Sequence, residues 1–338
     1  MATTIRDIAK LAGVSISTVS RVISDSPRIS DETKKRIREI LKETNYVPNS
    51  TAKQLVMKSN FNIGFLFNSH SSNVLVDFYF YNMIGGLQSV VLSNNYELTI
   101  CDFSYLDSSE NLLERFVYNR KVDGVILHVS MVNAEIISKL NEIDFPYVII
   151  GNPNIDIEST WVDFDNTTAG ELACERLYER GYKKIAFIAG SKEEVISNQR
   201  IEGYKKCLKK LKVEVDPQYI INTMGTDVDG YESLKKLLSL ESPPDAVICI
   251  NNYTAFGAIR AINELSIKVP QELGVIAFDN FPLAPYISPA LTSIDIDTFK
   301  LGERASELLM EKVKNSCKHH KYEKIVPNII LRVSDARK

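Results

Sequence analysis

The 338-residue chain is long enough for two or three compact units, each burying its own core. Its 44% hydrophobic and 25% charged residues are ordinary for a globular protein, and no apolar run approaches the roughly 20 residues that a membrane helix needs. The net charge of -3 hides an asymmetry: residues 1–58 carry eleven Lys/Arg against six Asp/Glu, a surplus of +5, and the remainder carries -8, the pattern of a polyanion-binding head on an acidic body with another task.

The first residues, "MATTIRDIAK", lack the apolar stretch and cleavage site of a secretory signal, so the chain is expected to stay in the cytosol, with no membrane partner. In "TTIRDIAKLAG", Thr4 stands three residues before Asp7 in a capping-box pattern. Ile8, Leu11 and Ala12 follow at helical spacing, and Gly13 ends the helix. Ser15 can cap a second helix in "SISTVSRVIS", with Val19, Val22 and Ile23 as its inward stripe and Ile16, Ser17, Ser20 and Arg21 largely outside it. A third helix, "SDETKKRIREILKETNY", starts at Ser30 and turns Ile37, Ile40 and Leu41 inward. Two helices across a tight Gly-Val-Ser turn form a helix-turn-helix unit, which the third helix closes into a core.

Small hydroxyl residues at the start of such a second helix allow close backbone approach to DNA, and a long cation can reach guanine or phosphate. Ile16, Ser17 and Arg21 are therefore the candidate base readers. The segment "YVPNSTAKQLVMKSN" is a linker in which Asn49 can cap a helix of about two turns. That is below the roughly 12 residues at which isolated helices hold together in water, so a partner must stabilise it.

From Asn62 onward apolar strands alternate with amphipathic helices: "NIGFLF", "MIGGLQSVVLSNNY", "ELTICDF", "NLLERFVYNR", "VDGVILHV", "AEIISKL" and "PYVIIGN". Near-continuous apolar strands joined by crossover helices mean a parallel sheet covered on both faces. The pattern restarts at "WVDFDN" and runs to "LGVIAFDN", giving a second lobe built like the first. Polar residues end many of these strands, where α/β sheets bind ligands: Asn68, Asn152, Asn251, Asn252 and Asp279, with Arg200 opening a helix at "RIEGY".

"TIRDIAKLAGVSISTVSRVI", "NYVPNSTAKQL" and the two-lobed body together resemble the LacI/GalR family of bacterial transcription regulators across nearly the whole chain. The resemblance implies an α/β protein with an N-terminal three-helix helix-turn-helix head, a hinge helix and a two-lobed periplasmic-binding-protein-like body of parallel sheets. The expected divisions are a DNA-binding domain at 1–48, a hinge at 49–60 and a body at 61–338, with one lobe at about 61–160 and 291–322 and the other at about 161–290 and 323–338.

By family position Thr18, Ser20 and Asn49 add phosphate or capping contacts beside Thr4 and Ser15. Ala52, Lys53 and Leu55 lie on a hinge helix that pairs with its twin in a dimer and wedges Leu55 into the minor groove. Lys53 replaces the commoner arginine, losing a planar fork, and Leu55 alternatively serves as core packing. Effector contacts map to Arg200, Asn251, Asn252 and Asp279, with Asn252 in place of the usual aspartate, and to Tyr79 and Phe80, which suit a core role equally well. A structural salt bridge is the other reading of Arg200 and Asp279.

The expected protein is a homodimeric repressor of double-stranded, pseudo-palindromic operator DNA. Its expected effector is a small, mostly uncharged sugar, with a purine or other non-sugar co-repressor as the alternative. No leucine heptads extend beyond Val333, so a tetramerising tail is not expected. Enzymatic motifs such as GxSxG, GxxxxGKS and HExxH are absent from the sequence, and the Asp163/Asp165 pair reads as helix capping rather than catalysis. Five scattered cysteines and the solvated pair His319 and His320 suggest no disulfide framework and no metal, and no cofactor is expected.

Overall fold

The computed structural model describes residues 4–23, 25–46, 59–68, 78–105, 111–315 and 319–337. The chain divides into two units, Met1–Phe61 and Asn62–Lys338. In the first, α1 (Ile5–Ala12), α2 (Ile16–Ile23) and α3 (Asp31–Glu43) pack around Ile8, Ala9, Ala12, Val19, Val22 and Ile37. Thr4 and Asp7 form the expected capping box, and Gly13 ends α1 in the left-handed region at φ 63°, donating its amide to Ala9 and Lys10 carbonyls. Leu11 departs from its predicted inward position and is 62% exposed. Ile5, Ile8, Ala9 and Ala12 fall within an arc of about 100° on the helix, and Leu11 lies about 60° beyond it. The hinge residues Asn49, Ala52, Lys53 and Leu55 lie outside the described residues.

The second unit holds two six-stranded sheets. The first lobe is built from β1 (Asn62–Phe67), α4 (Phe78–Ser93), β2 (Glu97–Asp102), a π-helical segment (Leu113–Tyr118), β3 (Gly124–His128), α5 (Ala134–Glu142), β4 (Tyr147–Ile150) and β5 (Trp161–Phe164). The second continues with α6 (Asn166–Glu179), β6 (Ile185–Ala189), α7 (Val195–Lys210), β7 (Ile220–Asn222), α8 (Asp227–Leu238), β8 (Ala246–Cys249), α9 (Asn252–Glu264), β9 (Gly274–Phe278) and β10 (Thr292–Asp295). The chain then returns through α10 (Thr298–Asn315) and β11 (Tyr322–Ile325) to the first sheet and ends with β12 (Asn328–Ile330) in the second. The strand orders are β11-β5-β4-β3-β1-β2 and β12-β10-β9-β8-β6-β7, and every pairing is parallel except β10 with β12.

This register corrects the expected lobe boundaries. β5 belongs to the first sheet, with Ile149 opposite Trp161, and β10 belongs to the second, with Thr292 opposite Ile276. The chain therefore changes lobe after β5, after β10 and after β11, a few residues later than at 160, 290 and 322. A near-continuous apolar run reveals a strand but not its neighbour, which is chosen by hydrogen bonds to residues beyond the reach of local spacing, here 12 and 16 positions away.

Two features fasten the elements of the second lobe to one another. Helices α6 and α7 cross at Gly170 and Gly203: a Cβ on Gly170 would overlap the Arg200 carbonyl, and one on Gly203 that of Thr167. Gly170→Ala is expected to force α7 outward and lower stability by roughly 1–3 kcal/mol. An unchanged urea midpoint would mean that the helices separate freely. The second feature is the C-terminal segment, where Ser334 Oγ accepts from the Thr292 amide at 2.8 Å and donates to the Val275 carbonyl at 2.6 Å, and buried Asp335 meets Arg176 and the Thr292 hydroxyl.

Candidate nucleic-acid interface and candidate ligand cleft

On α2, Val19 and Val22 take up the inward face, so that Ile16, Ser17, Ser20 and Arg21 share the opposite one, as a period of about 100° per residue dictates. Ile16 is 44% exposed, and Ser17 and Arg21 are exposed. Ser15 Oγ accepts from the Thr18 amide at 3.2 Å and lies 2.8 Å from Ser17 Oγ and 2.9 Å from Thr18 Oγ1, so a hydroxyl cluster marks the N-terminal end of this helix. Thr4 is exposed, and its hydroxyl donates to Asp7 at 2.7 Å. On α3, Lys34 and Arg38 both reach Asp25, at 3.0 and 2.6 Å, which anchors the turn after α2.

In the second unit, a cavity of about 440 Å³ opens between the start of α4 in one lobe and the C-terminal ends of β8, β9 and β10 in the other. Its wall brings together Tyr79, Asn251, Asn252 and Asp279, all singled out in the sequence. Asn251 caps α9, its Oδ1 accepting from the Thr254 amide at 2.9 Å, and its Nδ2 donates to the Gly225 carbonyl at 3.0 Å. Asn252 is 9% exposed, and its Oδ1 accepts no hydrogen bond. Asp279 sits at φ 63° just after β9, its amide bound to the Ile294 carbonyl at 3.1 Å.

Arg200 stands behind this wall rather than in it. It lies within α7, not at the helix start expected from "RIEGY". Its guanidinium covers the Phe278 ring at 4.1 Å, donates from Nη1 to the Ile250 carbonyl at 2.8 Å and from Nε to Asn166 Oδ1 at 3.2 Å, and approaches Asp279 Oδ1 at 3.9 Å. Burial draws its pKa below the usual guanidinium value, against the charges of Asp279 and Asp163. Nearby, Asp165 caps α6 through the Thr168 amide at 3.1 Å. Burial pushes the Asp163 carboxyl above its ordinary range, although it accepts from the Asn152 and Phe164 amides.

Phe80, Asn68 and Asn152 lie outside the cavity wall. Phe80 packs its ring 5.2 Å from both Phe67 and His128, the Asn68 amide donates to Ser130 Oγ at 3.0 Å, and the Asn152 side chain holds the Asn154 amide at 3.0 Å. Sequence reasoning missed Phe78, Asn82, Tyr253, Phe256, Asn280, Phe281, Asp295, Ile296, Asp297 and Thr298, which complete the wall among the described residues. Asp295 and Asp297 carried a usable signal, since they end a strand just as Asp279 does. Asp297 also caps α10 through the Lys300 amide at 3.0 Å, and Asn82 Nδ2 donates to Thr298 Oγ1 at 3.1 Å, fastening α4 to α10. The Phe281 ring meets Phe78 edge-on at 5.9 Å across the lobes and Phe256 at 5.8 Å within its own.

Residues 4–49 match the bacterial regulatory proteins of the lacI family, and residues 174–334 match a periplasmic binding protein-like domain. The HTH-type transcriptional repressor PurR of Mannheimia succiniciproducens is 31% identical over 333 residues, covering 98% of either chain. The protein belongs to the LacI family.

Solved LacI-family structures share its fold. One is a regulatory protein from Chloroflexus aggregans, 27% identical with a TM-score of 0.75, aligned over 81% of this chain and 98% of its own. Another is a transcriptional regulator from Enterococcus faecium with bound ribose, 24% identical with a TM-score of 0.69, aligned over 82% and 99%. Like its LacI-family relatives, the protein is a DNA-binding transcriptional repressor with an effector-binding body. No helix among the described residues is long and apolar enough to cross a membrane.

Proposed function

We propose that this LacI-family repressor acts in the cytoplasm as a homodimer on a pseudo-palindromic operator, and that a hydroxyl-rich sugar or sugar derivative in the cleft between its lobes sets its affinity for that operator. The cavity itself carries the ligand reading. Its volume of about 440 Å³ falls in the range of small-molecule sites, and its wall combines aromatic rings with the side chains of Asn82, Asn252, Asp279 and Asn280. Because both lobes contribute, a ligand there favours the closed arrangement and acts on DNA only through its difference in affinity between lobe arrangements. Calorimetry with sugars, sugar phosphates and purines tests the reading. Binding of a purine and of no sugar would replace it with the second reading, a purine co-repressor, which the Phe78, Phe281 and Phe256 rings favour because they offer faces for a planar base.

For the head, Ile16, Ser17 and Arg21 are assigned to base edges, and Thr4, Ser15, Thr18 and Ser20 to the backbone or to holding α2. Arg21→Ala should then weaken operator binding by roughly 1–3 kcal/mol and relax preference at one position per half-site. Fluorescence anisotropy on a set of single-base operator variants distinguishes this from phosphate contact, for which the loss would be uniform across sequences.

A further inference from the structure

We infer that the effector carries a protonated amine, so that the sugar derivative best matched to this cleft is an amino sugar or a similarly compact amine-bearing polyol; the inference rests on the cleft being the effector site. Three carboxylates, Asp279, Asp295 and Asp297, face the cavity, and no Lys, Arg or His is among the described residues that line it. The two nearest guanidinium groups stand behind the wall and offset only part of this charge, Arg200 Nη2 lying 3.9 Å from Asp279 Oδ1 and Arg332 acting on Asp295, so three carboxylates against two cations leave a negative surplus. Arg200 is held by the Ile250 carbonyl and Asn166, and Arg332 by Asn280 Oδ1 at 2.6 Å and the Leu291 carbonyl at 2.5 Å. A phosphorylated or carboxylated ligand would bring a further negative charge into this group, and a neutral polyol would strip water from the carboxylates without cancelling any charge.

A second observation, independent of the charges, points to a hydrogen-bond-donating ligand at this wall. Asn252 Oδ1 is buried in the cavity wall with no donor, an acceptor that an N–H or O–H of a ligand would satisfy. The lining also holds aromatic rings beside its neutral polar groups, and the electron-rich faces of Phe78, Phe256 and Phe281 suit a cation better than an anion. A metal ion is a poorer counter-charge, because no group of three His, Cys, Asp or Glu side chains among the described residues is placed to hold one. Asp295 adds to the case, since burial and the neighbouring Asp297 push its carboxyl above the ordinary range against the opposing pull of Asn280 and Arg332, and a bound cation would offset the repulsion from Asp297.

The test is calorimetry on the full-length protein with matched sets: glucosamine, N-acetylglucosamine and glucose; galactosamine, N-acetylgalactosamine and galactose; together with glucose 6-phosphate and hypoxanthine. The expected result is that a free-amine member binds at least about tenfold tighter than its acetylated and parent partners, a preference that shrinks in high salt. Asp295→Asn should erase most of that preference, read as the ratio of free-amine to parent-sugar affinity within the same variant. Equal or tighter binding by a parent sugar, an acetylated sugar, the phosphate or the purine overturns the amine. If that binding is lost in Asn252→Ala, the cleft remains the effector site. Binding indifferent to both Asn252→Ala and Asp279→Ala, or no binding by any member, overturns the amine and the cleft together.

Discussion

Arg200→Ala is expected to destabilise the body by roughly 2–5 kcal/mol and to remove ligand uptake in the cleft. The side chain is buried, so truncation leaves a cavity against Phe278 and strips a donor from both the Ile250 carbonyl and Asn166 Oδ1. It also withdraws the cation beside Asp279. These groups frame the ends of β8 and β9, from which Asn251, Asn252 and Asp279 reach the cavity, so the loss spreads to a wall that Arg200 does not itself line. Arg200→Met restores most of the volume but none of the hydrogen bonds. Its expected cost is smaller, roughly 1–3 kcal/mol, with ligand affinity still impaired. Urea unfolding and calorimetry on both variants measure this, and wild-type stability and affinity in Arg200→Ala would refute the scaffold role.

The other large effect is expected at Asp335, which is 0% exposed. It accepts from Arg176 Nε at 2.5 Å and from the Thr292 hydroxyl, locking the C-terminal segment onto α6 and β10. Asp335→Ala leaves the Arg176 guanidinium, itself only 15% exposed, without its carboxylate and should cost roughly 3–5 kcal/mol. Replacing both partners, Arg176→Met with Asp335→Leu, removes the charges together and should recover much of that loss. Thermal unfolding of the single and double variants decides it, and a double variant no more stable than Asp335→Ala would show that the ion pair is not the source.

Where a residue's role depends on its near neighbours in the chain, the sequence alone was enough. The Thr4–Asp7 capping box, the left-handed stop at Gly13, the hydroxyl of Ser15 under Thr18 and the outward face shared by Ile16, Ser17 and Arg21 all follow from spacings of three or four residues. The alternation of apolar strands and amphipathic helices follows from equally local periods, which is why a doubly repeated parallel α/β body was legible before its strands were paired.

Tertiary structure decided which strands are neighbours and which residues meet. The pairing of β5 with β4 and of β10 with β9 depends on hydrogen bonds between segments whose sequence separation leaves no local trace. The burial of Arg200 between Phe278 and the Ile250 carbonyl, the exposure of Leu11, and the gathering of Asn82, Phe281, Asp295 and Asp297 around one cavity have the same origin. A helix or strand is selected by interactions a few residues apart, whereas a cavity wall exists only after loop closure has brought distant segments together, and nothing in the spacing along the chain encodes which of their side chains will face one another.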